Sequence, residues 1–180
     1  MKNHRRLFRW LLVTGLYLLI FTPLIGWSQH AQHADQRSAP VIGVPAIAFE
    51  LKSLDGNPVL LANFHGKPLM INFFASWCDP CREEMPLINE LATKAGQDGY
   101  AVLGIAVEDT RGAIMQYAQE AKLVFPIALD PNSTVKRAYR IFGPPATFFI
   151  DGRGTIRDVV IGPITPERAR EGLKKAGVSL

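Results

Sequence analysis

From about Val41 onward, short apolar runs alternate with longer stretches in which apolar residues recur every three or four positions. The runs at 69–75 and 100–107 are nearly continuous and bounded by turn residues, which predicts strands buried on both faces. Residues 47–51 read as a further short strand, and Asp55-Gly56 predicts a turn before Val59, Leu60 and Leu61. Helical spacing runs from Arg82 to Ala95, with Met85, Ile88, Leu91 and Ala92 facing one way. Pro86 lies inside that stretch and removes a backbone donor, so a kink is expected.

Residues 112–122 read as a second helix and 125–129 as a strand, after which Asp130-Pro131 predicts a helix start with proline at its first position. Residues 146–150 and 155–161 form a hairpin around Asp151, Gly152, Arg153 and Gly154. Thr165, Pro166 and Glu167 supply an N-cap, a first-turn proline and a first-turn acid for a final helix. Strands alternating with helices, then a closing hairpin and helix, predict an α/β domain with a mixed central sheet flanked by helices.

The beginning of the chain has a different pattern. Lys2, Arg5, Arg6 and Arg9 precede an uncharged stretch of 18 residues from Trp10 to Trp27. Basic residues before an apolar run mark a signal peptide or a signal anchor. The length and the flanking tryptophans suit an anchor, whereas Pro23, Gly26 and Ser28 resemble a cleavable end. Both versions export everything after Ser28. Residues 1–28 are therefore expected to be an address, 29–40 a polar linker and 41–180 the folded domain. His30 and His33 fall in the linker, where a mobile tether is a simpler explanation than a metal site.

Net charge is +4, and four of the basic residues belong to the N-terminal address. The small scattered remainder on the domain argues against a nucleic-acid partner. The sequence has only two cysteines, Cys78 and Cys81. A pair so close in sequence constrains the unfolded chain little, so it makes a poor structural staple. Zinc normally takes four ligands, and His65, the one histidine in the domain, does not complete a set with the two cysteines. No metal or cofactor is expected.

The pair sits where a buried strand gives way to a helix. Free amides and the dipole at a helix N-terminus stabilise a thiolate. Cys81 lies one turn further along, close enough to resolve a mixed disulfide formed by Cys78. Pro80 restricts the intervening loop, and Asp79 places an acid beside the pair, which disfavours the thiolate and pushes the couple toward the reducing side. Glu84, three residues past Cys81, can share its helix face and exchange a proton with the resolving thiol; a surface role stabilising the first turn suits Glu83 better. Trp77 either covers the disulfide or simply packs.

The segment Phe73-Phe74-Ala75-Ser76-Trp77-Cys78-Asp79-Pro80-Cys81-Arg82-Glu83-Glu84-Met85-Pro86 closely resembles the TlpA-like, membrane-anchored thiol–disulfide interchange proteins of bacteria. The resemblance extends from about Val41 to the C-terminus and implies a thioredoxin-like fold with an N-terminal β-hairpin and a central helix–strand insertion. Gly143-Pro144-Pro145-Ala146-Thr147-Phe148 is similar to the family's cis-proline segment, which places Pro145 against the redox pair. Pro144 and Ala146 depart from the family's usual residues there, which puts partner preference in doubt. Glu84 matches an acid found near the cysteines in many relatives.

The resemblance implies an extracytoplasmic protein-disulfide reductase. Its substrates would be exported proteins with disulfides, with apocytochrome c as a candidate, and a thiol-transfer donor in the membrane would recharge it. An oxidant or isomerase of secreted proteins is a competing activity, and a metallochaperone or non-enzymatic docking module is a competitor of another class. A peroxidase reading is weaker, because residue 75 is Ala where the Thr-x-x-Cys arrangement needs Thr.

Overall fold

The computed structural model describes residues 42–179. Seven strands form one sheet in the order β2-β1-β5-β4-β3-β6-β7. They are β1 (Glu50–Ser53), β2 (Pro58–Leu60), β3 (Leu69–Phe74), β4 (Ala101–Val107), β5 (Ile127–Asp130), β6 (Ala146–Ile150) and β7 (Ile156–Ile161). The helices are α1 (Asp79–Ala95), α2 (Arg111–Glu120), α3 (Thr134–Ala138) and α4 (Pro166–Lys175), with a 3₁₀ turn over Leu61–Phe64. β3 pairs in parallel with β4 and antiparallel with β6, and β4 pairs in parallel with β5. This is the mixed sheet of a thioredoxin-like fold. The N-terminal hairpin is β1–β2, and α2 with β5 forms the central insertion.

Period-two alternation in β3 divides the core. Met70 and Phe74 point to one face, where they join Met85 and Ile88 of α1, Ile114 and Tyr117 of α2, and Leu173 of α4. Leu69, Ile71 and Phe73 point to the other, with Val135 of α3 and Tyr139. There Phe73, Tyr139 and Phe148 form an aromatic triangle with ring centroids 5.1–5.7 Å apart. Tyr139 completes it by donating its hydroxyl to the Ile47 carbonyl at 2.9 Å.

Several expected boundaries move. The first strand begins at Glu50 rather than Ile47, because β2 offers partners only from Leu60 back to Pro58. α1 starts at Asp79, three residues before the apolar spacing begins, and runs on through Pro86. The Asp130-Pro131 helix start is not formed. Asp130 ends β5, Pro131 lies in a turn, and α3 begins at Thr134. The Asp130 carboxylate still caps that helix from a distance, accepting from the backbone N–H of Thr134 and of Lys136, each at 2.8 Å. The N-terminal address and the whole of the linker lie outside the described residues. No helix among the described residues is long and apolar enough to cross a membrane.

Candidate functional site

Cys78 is the N-cap of α1 and Cys81 lies in its first turn. The two are joined by a disulfide with Cα atoms 5.3 Å apart. The Cys81 backbone N–H points at Cys78 Sγ, 3.3 Å away. An amide so placed at a helix N-terminus is the kind of donor that stabilises a thiolate. Cys78 keeps 5% of its surface exposed and Cys81 none. Of the two, Cys78 is thus the more accessible to an incoming disulfide. Asp79 and Pro80, both exposed, occupy the first two positions of the helix.

The loop before Cys78 is anchored to the end of β4. Ser76 donates to Asp109 Oδ2 through both its backbone N–H and its hydroxyl. Trp77 donates its indole N–H to the Glu108 carbonyl at 3.1 Å, yet 56% of the residue is exposed. It is thus held at the surface rather than packed into the core. Glu108 adopts a left-handed backbone (φ 53°), and its side chain accepts from Lys136 Nζ at 2.8 Å. Arg82, next to Cys81, reaches away from the pair: it donates to the Ser76 carbonyl and its guanidinium lies 4.6 Å from the centre of the Tyr117 ring.

Beneath the pair, on the α1 side of the sheet, lies a buried polar cluster. Glu84 is 5% exposed. Its Oε1 accepts from Asn72 Nδ2 and its Oε2 from the Ile164 backbone N–H, both at 2.8 Å. Burial raises its pKa above the ordinary carboxylate value, against the opposing pull of the Ile164 and Asn72 hydrogen bonds. Asn72 also donates to Thr147 Oγ1 at 3.1 Å. Asn72 and Thr147 did not stand out as site residues in the sequence; the one available signal was a polar residue inside the apolar run at 69–75.

Pro145 immediately precedes β6, whose Ala146 is paired with Phe73, so the proline lies beside the end of β3 that leads to Cys78. The Pro144–Pro145 peptide bond is cis. The structure thus brings Cys78, Cys81, Trp77, Asp79, Pro80, Glu84 and Pro145 to one end of the sheet. Among the described residues no group of three or more His, Cys, Asp or Glu side chains could hold a metal ion.

Comparison with known proteins agrees with this geometry. Residues 42–159 match the AhpC/TSA family. The thiol-disulfide oxidoreductase ResA of Bacillus cereus is 31% identical over 175 residues, covering 97% of this chain and 98% of its own. Its namesake in Oceanobacillus iheyensis is 32% identical, covering 93% and 86%. Among solved structures, a thiol:disulfide interchange protein DsbE from Chlorobium tepidum superposes with a TM-score of 0.70 at 27% identity, covering 76% of this chain and 97% of its own. Such agreement, around the Cys78–Cys81 disulfide at the start of α1, shows that the chain belongs to the AhpC/TSA family and is a thiol–disulfide oxidoreductase working through Cys78 and Cys81.

Proposed function

We propose that this protein is an extracytoplasmic reductant of protein disulfides, with apocytochrome c as a candidate substrate, recharged by a thiol-transfer donor in the membrane. The observation that carries the direction is the buried Glu84 carboxyl, one helical turn beyond the buried Cys81. Asp79 adds a second acid within the first two turns of α1, and the nearby Arg82 is engaged on Tyr117. A thiolate that is poorly stabilised makes the dithiol a better electron donor. The basic start and uncharged stretch of residues 1–28 support an exported domain that is tethered to the membrane or released by cleavage.

In the reductive direction, the Cys78 thiolate attacks a sulfur of the partner's disulfide, forming a mixed disulfide and expelling one partner thiolate. Cys81 passes its thiol proton to the Glu84 carboxylate. The Cys81 thiolate then attacks Cys78 Sγ, closing the Cys78–Cys81 bond and releasing the second partner thiolate. Two electrons pass to the partner, and the two partner thiolates take up protons, one of them returned from Glu84. Pro145 borders the docking surface, while Pro80 and Trp77 shape the rim around Cys78.

Two measurements test this reading. The Cys78–Cys81 couple, equilibrated with a dithiothreitol buffer, is expected well below about −200 mV; a value near the roughly −120 mV of a strong oxidant overturns it in favour of an oxidase. Cys81→Ser should accumulate mixed disulfides through Cys78, and equal trapping by Cys78→Ser would reverse the two roles. Stoichiometric copper or zinc binding with no disulfide-reducing activity would point to a metallochaperone instead.

A further inference from the structure

Asn72 is fully buried in the middle of β3, and its amide is used on one side only. Nδ2 donates to Glu84 and to Thr147, whereas Oδ1 has no hydrogen-bond partner. An orphaned buried carbonyl is destabilising, so the orientation of this amide needs a reason. Glu84 supplies it. Both of its oxygens face donors, Asn72 Nδ2 on one and the Ile164 N–H on the other. That shell fits a carboxylate. A carboxylic acid carries an O–H that needs an acceptor, and turned toward either neighbour it would set one hydrogen against another.

The Ile164 donor belongs to the backbone and is fixed, but the Asn72 amide can exchange its nitrogen and oxygen by rotating about its terminal torsion. Once turned, Oδ1 would stand where Nδ2 now is. It would accept from the Glu84 O–H and from the Thr147 hydroxyl, whose hydrogen is free to swing toward it. The turned amide would leave its NH₂ in the site that now holds the orphaned oxygen. Unpaired donors are rarer in proteins than under-used carbonyls, so the turned state is disfavoured until Glu84 is protonated.

We propose that Asn72 is a positioning residue whose side-chain amide turns over when Glu84 takes up a proton, so that the Glu84–Asn72–Thr147 hydrogen bonds reverse as a unit. The inference rests on the reading of Glu84 as the proton acceptor for Cys81. It extends the reach of that proton: the protonation state of a carboxyl on α1 is registered across two strands at Thr147, two residues after Pro145. The titratable group that acts on Glu84 from another element is Tyr117 of α2, whose pKa is raised by burial, while Cys78 and Cys81 at the start of its own helix do not titrate when disulfide-bonded. The partners from the sheet and from the Ile164 segment carry no charge.

The test is nuclear magnetic resonance on the full chain in its oxidised form, following the Glu84 carboxyl carbon and the Asn72 NH₂ from about pH 4 to pH 9. Above the Glu84 midpoint, the NH₂ protons should show a cross-relaxation peak to Thr147 Hβ. Below it that peak should be lost, and in Glu84→Gln it should be absent or weakened at every pH, since a neutral amide that donates to Asn72 Oδ1 mimics the acid. Asn72→Leu keeps the volume and removes the donor, so the Glu84 midpoint should rise. A Thr147 peak that persists through the Glu84 titration, or a midpoint unmoved by Asn72→Leu, overturns the proposal. The proton-acceptor reading fails separately, when the rate of mixed-disulfide resolution is blind to the Glu84 titration although the amide turns.

Discussion

Asp109 holds Ser76 twice, accepting from its backbone N–H at 2.8 Å and from its hydroxyl at 2.7 Å through one oxygen, Oδ2. Ser76 stands two residues before Cys78, so one carboxylate at the end of β4 fixes the approach of the chain to the attacking sulfur. Asp109→Ala removes both bonds and strands a partly buried N–H. The expected cost is about 1–3 kcal/mol of stability, read by denaturant unfolding. Disulfide exchange should slow as well, because Cys78 loses its defined approach. Asp109→Asn, which keeps an acceptor oxygen, should recover most of both; full activity in Asp109→Ala would sink this account of the loop.

Glu84 makes stability depend on pH with a definite sign. Its pKa is raised in the folded protein, mainly by burial. The folded state therefore binds the proton more tightly than the unfolded chain does. The favourable contribution is complete below the unfolded value, near 4.5, and is lost as pH rises through the higher folded value. The stability of the wild type relative to Glu84→Gln should thus fall as pH rises from about 4 to neutrality. The fall is about 1.4 kcal/mol for every tenfold difference in proton affinity between the folded and unfolded carboxyl. Urea titrations of both proteins at several pH values check it, and a difference that grows with pH would contradict it.

Gly172 on α4 lies against Phe149 of β6. A Cβ built at Gly172 would come within 2.4 Å of the Phe149 ring. Gly172→Ala gains about 1 kcal/mol of helix propensity but meets an overpacking cost of about 1–3 kcal/mol. Phe149 is fully buried and has nowhere to retreat, so the clash should win. The variant is expected to melt a few degrees lower, up to about 2 kcal/mol less stable on balance. Thermal unfolding decides the matter.

Asp130 has a similar mechanical role. Removing its carboxylate in Asp130→Ala leaves the Thr134 and Lys136 N–H groups without their acceptor. The expected loss is about 2 kcal/mol, with faster hydrogen exchange in α3. Exchange in α1 should stay at its wild-type rate, because α3 packs on the opposite face of the sheet.

The sequence patterns that could be read were those in which neighbours along the chain decide the outcome. The β3 run, the α1 spacing and the Thr165 cap each carry their own signal; Thr165 indeed accepts from Arg168 N–H. The cysteine pair was legible because its chemistry needs only a strand, a turn and a helix start. Asn72 was not, since its partners Glu84 and Thr147 lie 12 and 75 residues away. Asp130-Pro131 misleads for a related reason. The rule for a helix start assumes that the cap adjoins the helix, whereas here an acid at a strand end reaches across a turn. Glu108, at φ 53°, gives no local warning of its left-handed backbone.

The complete enclosure of Cys81 has a kinetic consequence. Once Cys78 is joined to a partner, small thiols in the surrounding medium can reach the outer bond but not the sulfur that will break it from within. The second step is thereby set by an internal rate constant rather than by the concentration of competing thiols. A captured partner is thus divided between two exits, and only the one through the outer bond scales with the thiol content of the surroundings.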